Sequence, residues 1–254
     1  MIRAVGMLEF LSGRGPDKAA VIADLDGCLI ASGRLLPHVT ELFARCGDRL
    51  WIVSNNSSDT ADTLSARLGV LGSPVPASHI VLAGEQTVRL MAQERPGQRI
   101  AIYATEPLCT LGLQLGLIHD RAAPDAAILA RDPAFSFSCL SRLTAQVARG
   151  LPLMTTNPDA SHPDGDGHPV PETGALWAAL AAALPGQAIR TIGKPAPDLL
   201  LLALTHAGVI PCDAVFIGDT PETDGVAARS AGVEFVLLHR PGALATQTPE
   251  VQPC

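Results

Sequence analysis

Short apolar runs alternate with amphipathic segments along most of the chain, and several of the runs end in a polar cluster. Runs of this length, bounded by turn residues, are typical of strands that are buried in a parallel sheet. The predicted strands are 19–25, 50–53, 79–82, 100–103, 126–129, 152–156, 189–192, 214–217 and 234–238. The segments with helical spacing of apolar positions are 35–46, 59–68, 83–94, 138–150, 174–184, 198–207 and 225–231. Strands that alternate with helices predict an α/β fold with a doubly wound parallel sheet.

Two clusters of turn-forming residues divide this pattern. Arg95-Pro96-Gly97-Gln98 marks one boundary, and Pro185-Gly186 marks the other. We therefore expect a core unit formed by residues 1–95 and 187–254, with a smaller α/β unit of residues 96–186 inserted into it. Within the inserted unit, 155–173 is rich in Pro, Asp, Gly and His, which predicts either an ordered substrate loop or a surface excursion.

The first predicted strand ends in two aspartates that are separated by one residue. Because side chains alternate along a strand, Asp24 and Asp26 point to the same side, and Gly27 allows a sharp turn directly after them. Two carboxylates this close repel each other unless a proton or a cation lies between them. A divalent metal beside one nucleophilic and one proton-shuttling carboxylate would explain the pair. Taken alone, the pattern also fits a strand that ends in a polar turn.

Three further strand ends carry polar side chains: Ser54-Asn55-Asn56, Lys194, and Asp219 with Asp224. In a doubly wound sheet the carboxyl ends of the strands face one crevice, where ligands bind. Carboxylates hold Mg²⁺, hydroxyl and amide groups donate to phosphoryl oxygens, and an ammonium neutralises phosphate. The alternatives are local. Ser54 and Asn55 could cap the following helix, Asn56 could serve the turn, and Asp224 could interact with a helix dipole.

Composition narrows the class of protein. The formal charge of −7 and the isoelectric point near 5.4 argue against a nucleic-acid-binding protein, which needs a basic face. The six cysteines are scattered without metal-ligand spacing, which suits a reducing cytoplasm. No apolar run is long enough for a membrane span, and the N-terminal residues lack the features of a signal peptide. We therefore expect a cytoplasmic protein that binds neither nucleic acid nor membrane.

The four polar clusters, in this order, resemble the motifs of the haloacid dehalogenase superfamily of phosphatases. Asp24-Leu25-Asp26-Gly27 is similar to the first motif, Ser54-Asn55-Asn56 to the second, Gly193-Lys194-Pro195 to the third, and Gly218-Asp219 with Asp224 to the fourth. The insertion resembles the C2-type cap of subfamily IIA, in which Thr156-Asn157-Pro158-Asp159 fits the pattern and 105–137 does not. The resemblance covers 19–239 and points to the branch of pyridoxal phosphate, phosphoglycolate, p-nitrophenyl phosphate and nucleotide phosphatases. It implies a Rossmann-like core.

This resemblance assigns the catalytic roles. Asp24 attacks phosphorus and becomes an aspartyl phosphate, and Asp26 protonates the leaving oxygen and then deprotonates water. Lys194 neutralises charge at the nucleophile and the phosphate. Ser54 and Asn55 bind the phosphoryl group, and Asn56 is counted with them as a substrate-binding candidate.

The resemblance also implies Mg²⁺ as the cofactor. The ion is held by the Asp24 carboxylate, the Asp26 main-chain carbonyl and the Asp219 carboxylate. Asp224 supports Lys194 or a metal-bound water and is grouped with the metal residues. Cys28 stands where the family often has Thr or Val, and this difference does not touch the assigned chemistry.

Two residues of the inserted unit are candidates for substrate contact. Asn157 belongs to the motif of the cap, and His162 lies where some pyridoxal phosphate phosphatases place a substrate-contacting histidine. The stretch from His162 to His168 also resembles part of a calcium loop, but the twelfth position is Thr173, so that pattern fails. A turn-rich cap loop is the simpler interpretation.

The sequence therefore predicts a Mg²⁺-dependent phosphomonoester hydrolase whose substrate is a small phosphorylated metabolite. Dimerisation through the cap is a further implication of the resemblance. A phosphotransferase that uses the same intermediate is one alternative. The other is a non-catalytic binding or regulatory protein with this fold, against which the intact set Asp24, Asp26, Lys194 and Asp219 argues.

Overall fold

A computed structural model describes residues 3–163, 168–187 and 190–239. It confirms the α/β class, with parallel sheets flanked by helices. The helices in these ranges are α1 Met7–Ser12, α2 Val39–Cys46, α3 Ala61–Val70, α4 Ala83–Glu94, α5 Glu106–Gln114, α6 Phe137–Val147, α7 Thr173–Ala183, α8 Asp198–Ala207 and α9 Val226–Ala231. None of these helices has the length and apolar character needed to cross a membrane.

The first sheet holds five parallel strands in the order β14-β13-β1-β4-β5. Its strands are β1 Ala20–Ala23, β4 Leu50–Ser54, β5 Ile80–Leu82, β13 Ala214–Gly218 and β14 Glu234–Leu237. A short antiparallel hairpin follows β1, formed by β2 Ile30–Ala31 and β3 Arg34–Leu35. The predicted helix over 35–46 begins only at Val39, because Leu35 belongs to β3 and the N-cap residue His38 is left-handed, with φ +64°.

The central strands are continuous apolar runs because both faces of this sheet are covered. Ile22 and Phe216 face one apolar core, which contains α8 and α9, while Val21 and Val215 face the other, which contains α2 and α3. A strand buried on both sides has no polar positions until it leaves the sheet. The first polar side chains of β1, β4 and β13 therefore come together at their carboxyl ends.

The second sheet has the order β12-β9-β8-β6-β7 and is also parallel. Its strands are β6 Arg99–Tyr103, β7 Ile118–His119, β8 Ala126–Leu129, β9 Leu153–Thr155 and β12 Arg190–Thr191. Residues 155–173, interpreted from sequence as a loop or an excursion, contain the antiparallel pair β10 Ser161–Pro163 and β11 Pro169–Pro171. This hairpin, β10–β11, lies between β9 and α7 in the chain.

One boundary of the inserted unit differs from the sequence expectation of 186/187. Strand β12 pairs with β9 in the second sheet, with Arg190 opposite Met154 and Thr191 opposite Thr155. The Pro185-Gly186 turn ends α7 and does not return the chain to the first sheet. The two units also share one apolar core, to which Met91 of α4 and Leu108 of α5 both belong.

Candidate active site

Lys194 contacts one aspartate of the first motif, Asp24, and one of the fourth, Asp224. Its Nζ donates to Oδ1 of Asp24 at 2.5 Å and to Oδ1 of Asp224 at 2.7 Å. The side chain is almost fully buried, which by itself lowers the pKa of Lys194. The charges of Asp224 and Asp24 outweigh burial and raise that pKa above its ordinary value. A permanently charged ammonium is thus held between two carboxylates at the end of β1.

The three carboxylates at this point carry more negative charge than Lys194 can balance. Ligand atoms of Asp24, Asp219 and Asp224 all lie within 4.8 Å of one another. Burial raises the pKa of Asp24 well above its ordinary value. The charge of Lys194 opposes that shift, and the charges of Asp224 and Asp219 add to it. Three carboxylates and one ammonium have a formal charge of −2, so a divalent cation with a preference for oxygen fits the donor set.

The members of the cluster differ in their burial, and both carboxylate oxygens of Asp224 accept hydrogen bonds. Asp224 uses Oδ1 for Lys194 and accepts the main-chain N–H of Thr220 on Oδ2 at 3.2 Å. Asp219 accepts a hydrogen bond from the Thr220 hydroxyl at 3.1 Å and is less buried than Asp24 or Asp224. The geometry therefore favours Asp24 and Asp219 as direct ligands. It favours Asp224 as a support for Lys194.

Asp26 is exposed, in contrast to the buried Asp24. Gly27 after it has φ +82°, the left-handed conformation that a sharp turn requires. The carboxylate is accessible to solvent but is surrounded by protein, and burial raises its pKa; the charges of Arg67, His162 and Lys194 act in the opposite direction. A carboxyl group whose proton is held more tightly than usual is suited to donate it to a leaving oxygen.

Ser54 and Asn55 extend this site from the end of β4. The Ser54 oxygen accepts the main-chain N–H of Asn56 at 3.1 Å, which leaves its own hydroxyl hydrogen to donate. The Asn55 carboxamide binds two main-chain groups of Lys194. Its Oδ1 accepts the Lys194 N–H at 2.7 Å, and its Nδ2 donates to the Lys194 carbonyl at 2.9 Å. Nδ2 also donates to Asp159 at 3.0 Å. The Asn55 side chain is thus committed to aligning Lys194, and its main-chain N–H is the group suited to a phosphoryl oxygen.

Asn56 and Asn157 serve the surrounding loops. The Asn56 carboxamide donates to Asp59 and accepts the main-chain N–H groups of Ser58 and Asp59, so the turn interpretation describes it better than substrate binding does. Asn157 is buried and donates to the Asn55 carbonyl at 2.7 Å. Its contacts connect the inserted unit to the loop after β4 that carries Asn55, whereas the sequence predicts direct substrate contact.

His162 lies on β10, and its charge acts on the Asp26 carboxyl; residues 164–167 of the same stretch lie outside the described residues. Its Nδ1 is 2.7 Å from Oε1 of Glu172, whose other neighbour is Nε of Arg131 at 3.4 Å. Burial raises the pKa of Glu172, and the charges of Arg131 and His162 oppose this shift. Neither Arg131 nor Glu172 belongs to a sequence motif, and only the fold brings them to His162.

The N-terminal and C-terminal parts of the chain each match a family of known proteins. Residues 21–117 match a family described as haloacid dehalogenase-like hydrolase, and residues 191–250 match a HAD-hydrolase-like family. The chain is 32% identical to mouse chronophin, with 85% of this chain and 79% of chronophin covered. It is 29% identical to dihydroxyacetone phosphatase of Corynebacterium glutamicum, with 85% of this chain and 79% of that protein covered.

A solved structure agrees with this similarity. The crystal structure of a glycerol phosphate phosphatase from Mycobacterium tuberculosis, in complex with magnesium, superimposes with a TM-score of 0.78 at 27% sequence identity. The superposition covers 87% of this chain and 67% of the other.

Proposed function

The chain belongs to the haloacid dehalogenase-like hydrolases of subfamily IIA, and we propose that its phosphatase activity is carried by Asp24 with Asp26, Lys194 and a bound Mg²⁺. The observation that carries the proposal is the buried contact of Lys194 with both Asp24 and Asp224. A buried ion pair of this kind has little structural advantage over a set of well-packed apolar side chains in place of all its members, since desolvation offsets most of the attraction. Its use at a nucleophilic carboxylate and a phosphoryl group gives it a function.

The family's mechanism, applied to these groups, gives the proposed reaction. Asp24 attacks phosphorus with one carboxylate oxygen, the ester bond breaks, and Asp26 gives its proton to the leaving oxygen. Asp26 then takes a proton from the water that attacks the aspartyl phosphate, which releases phosphate and restores Asp24. Lys194, the Ser54 hydroxyl and the Asn55 main-chain N–H neutralise the charge that develops on the phosphoryl oxygens.

Asp24 and Asp219 would hold the magnesium ion, together with the Asp26 main-chain carbonyl. When bound, the ion would compensate the negative charge of the carboxylates and of the substrate phosphate. Support for this assignment comes from the charge of the cluster and from the presence of magnesium in the similar glycerol phosphate phosphatase.

The substrate that we propose is a small phosphorylated metabolite. Dihydroxyacetone phosphatase and glycerol phosphate phosphatase are named for esters with short carbon chains, which supports a small substrate here. Release of phosphate from a panel of small esters, measured with Mg²⁺ and with EDTA, tests the proposal. Metal-dependent release that Asp24→Asn abolishes would support it. Release that survives Asp24→Asn would contradict the assigned nucleophile, and phosphate transfer to an acceptor alcohol without net release would favour a phosphotransferase.

Three further assignments belong to the same proposal. Residues 96–192 form the cap, with the return to the core after β12. Leu113 of α5 and Ile118 of the edge strand β7 are exposed apolar residues of the cap, which supports a homodimer through this unit. A cytoplasmic location is supported by the five cysteines of the described residues, all of which carry free thiols.

A further inference from the structure

The leaving group of the substrate must lie between Asp26 and the cap. In the proposed reaction the leaving oxygen is opposite the attacking Asp24 and within reach of Asp26. The cap and the core meet at the loop after Ser54, since Asn157 Nδ2 donates to the Asn55 carbonyl at 2.7 Å and Asn55 Nδ2 donates to Asp159 at 3.0 Å. His162 follows this cap segment on β10, and Asp59 follows Asn55 in the core. Side chains of both units therefore border the loop that carries Asn55.

The two guanidinium groups around this space are each paired with a carboxylate. Arg67 Nη2 lies 3.1 Å from Oδ2 of Asp59. Arg131 Nε lies 3.4 Å from Oε1 of Glu172, and its Nη1 donates to the hydroxyl of Ser58 at 3.3 Å. Ser58 belongs to the loop that carries Asn55, so Arg131 reaches across from the cap to the phosphate-binding loop.

Glu172 is the centre of the cap half of this arrangement. One of its oxygens, Oε1, is shared by Arg131 and by His162, whose Nδ1 is 2.7 Å away. The Glu172 main-chain N–H is fixed by the Ala160 carbonyl at 3.0 Å, and its side chain is only 17% exposed. Glu172 is thus held in place, where it pairs with the Arg131 guanidinium and faces the His162 imidazole.

We propose that Glu172, through its pairing with Arg131 and His162, selects phosphate esters whose leaving group is uncharged and hydroxylated, and discriminates against those that carry a carboxylate. This inference rests on the proposed phosphatase activity. A hydroxyl group of the substrate finds both donors and acceptors in the ion pairs. A carboxylate must either approach Glu172 and Asp59 or displace one of them from its arginine, and both are costly.

Glycerol 3-phosphate and 3-phosphoglycerate form a matched pair of probes, because the second has a carboxylate where the first has a hydroxymethyl group. The wild-type protein is expected to favour glycerol 3-phosphate in kcat/KM by at least about 100-fold. In Glu172→Gln, Arg131 and His162 lose their anion, and this ratio is expected to fall by at least about 10-fold. Arg131→Gln removes the guanidinium that balances the negative charge of Glu172, so repulsion of the carboxylate increases and the ratio is expected to rise. In the double variant, Glu172→Gln with Arg131→Gln, the increase in kcat/KM for 3-phosphoglycerate that Glu172→Gln causes is expected to disappear.

The ratio of the two esters within one variant separates selectivity from structural damage, which lowers both rates together. A wild-type ratio near one overturns the proposal, and so does a ratio that neither substitution changes. If Glu172→Gln does not fold, the ratios of the wild type and of Arg131→Gln decide the question. Hydrolysis of p-nitrophenyl phosphate is measured in parallel with each variant. If the wild-type protein does not hydrolyse that ester either, the proposed activity has failed; normal hydrolysis with no selectivity overturns the role of Glu172 alone.

Discussion

The ammonium of Lys194 lies 2.5 Å from the carboxylate of Asp24, although 170 positions separate the two residues in the chain. Strand β1 supplies the carboxylate, and the segment that returns from the second sheet supplies the lysine. Asn55 fixes the distance between them, since its carboxamide binds the Lys194 main chain on both the N–H and the carbonyl side.

Replacement of this lysine is expected to remove most of the activity and to weaken the fold. In Lys194→Met, Asp24 and Asp224 face each other without a cation, which should cost about 3 kcal/mol of the free energy of unfolding in the absence of metal. The loss of charge stabilisation at the phosphoryl group should lower kcat by at least about 100-fold. Urea unfolding with EDTA and hydrolysis of p-nitrophenyl phosphate with Mg²⁺ measure the two effects.

Lys18 provides the matched control, because it forms an ion pair with Glu234 at 3.1 Å on the surface. Lys18→Met should change the free energy of unfolding by no more than about 1 kcal/mol and leave kcat unchanged. Equal effects of the two substitutions would contradict a special role for Lys194.

The activities of Asp219→Asn and Asp224→Asn are expected to depend differently on the Mg²⁺ concentration. Asp219→Asn removes a direct ligand, so the Mg²⁺ concentration for half-maximal activity should rise by at least about 10-fold, and kcat should recover at high Mg²⁺. Asp224→Asn disturbs Lys194, so kcat should stay low at any Mg²⁺ concentration. Activity titrated with Mg²⁺ after EDTA treatment distinguishes the two, with the exposed Asp48→Asn as the control. Identical titration curves for Asp219→Asn and wild type would exclude Asp219 as a ligand.

Gly174 is expected to be irreplaceable at the start of α7. A Cβ at this position would lie 2.1 Å from the Pro158 carbonyl oxygen and 2.6 Å from that of Asp159, so Gly174→Ala must displace the segment that bonds Asn55. We expect a loss of about 1–3 kcal/mol in the free energy of unfolding, together with a lower kcat.

Gly69 in α3 is the matched position, because a Cβ there meets no atom within 4 Å. Gly69→Ala should raise the free energy of unfolding by about 0.5–1 kcal/mol, since alanine favours the helix, and should leave kcat unchanged. Thermal or urea unfolding compares the two variants. A neutral effect of Gly174→Ala would show that the cap segment adjusts freely.

The elements that the sequence predicted best are those buried on both faces. The apolar runs of β1, β4 and β13 end in polar residues because the strands leave the core there, and this made Asp24, Ser54 and Asp219 visible as candidates. Helix α8 was predicted with its observed bounds, Asp198–Ala207, since Pro195 and Pro197 precede it and Gly208 follows it.

Residues whose importance depends on long-range contacts were not predictable in this way. Arg131 and Glu172 lie outside every motif, and only the packing of the cap against the loop at Ser58 brings them to the cleft. The carboxamides of Asn55 and Asn157 were interpreted as substrate ligands, but the fold uses them to connect the two units. Strand β12 is too short and too polar for its sheet to be chosen from the sequence.

Trapping the covalent intermediate tests the central claim most directly. In Asp26→Asn, attack by Asp24 on p-nitrophenyl phosphate needs no general acid, because p-nitrophenolate is a weak base, whereas hydrolysis of the intermediate lacks its base. We expect a burst of one p-nitrophenolate per active site, followed by slow turnover, and an acid-quenched protein that carries one phosphoryl group on Asp24. A phosphoryl group on another residue, or the same burst in Asp24→Asn, would contradict the account.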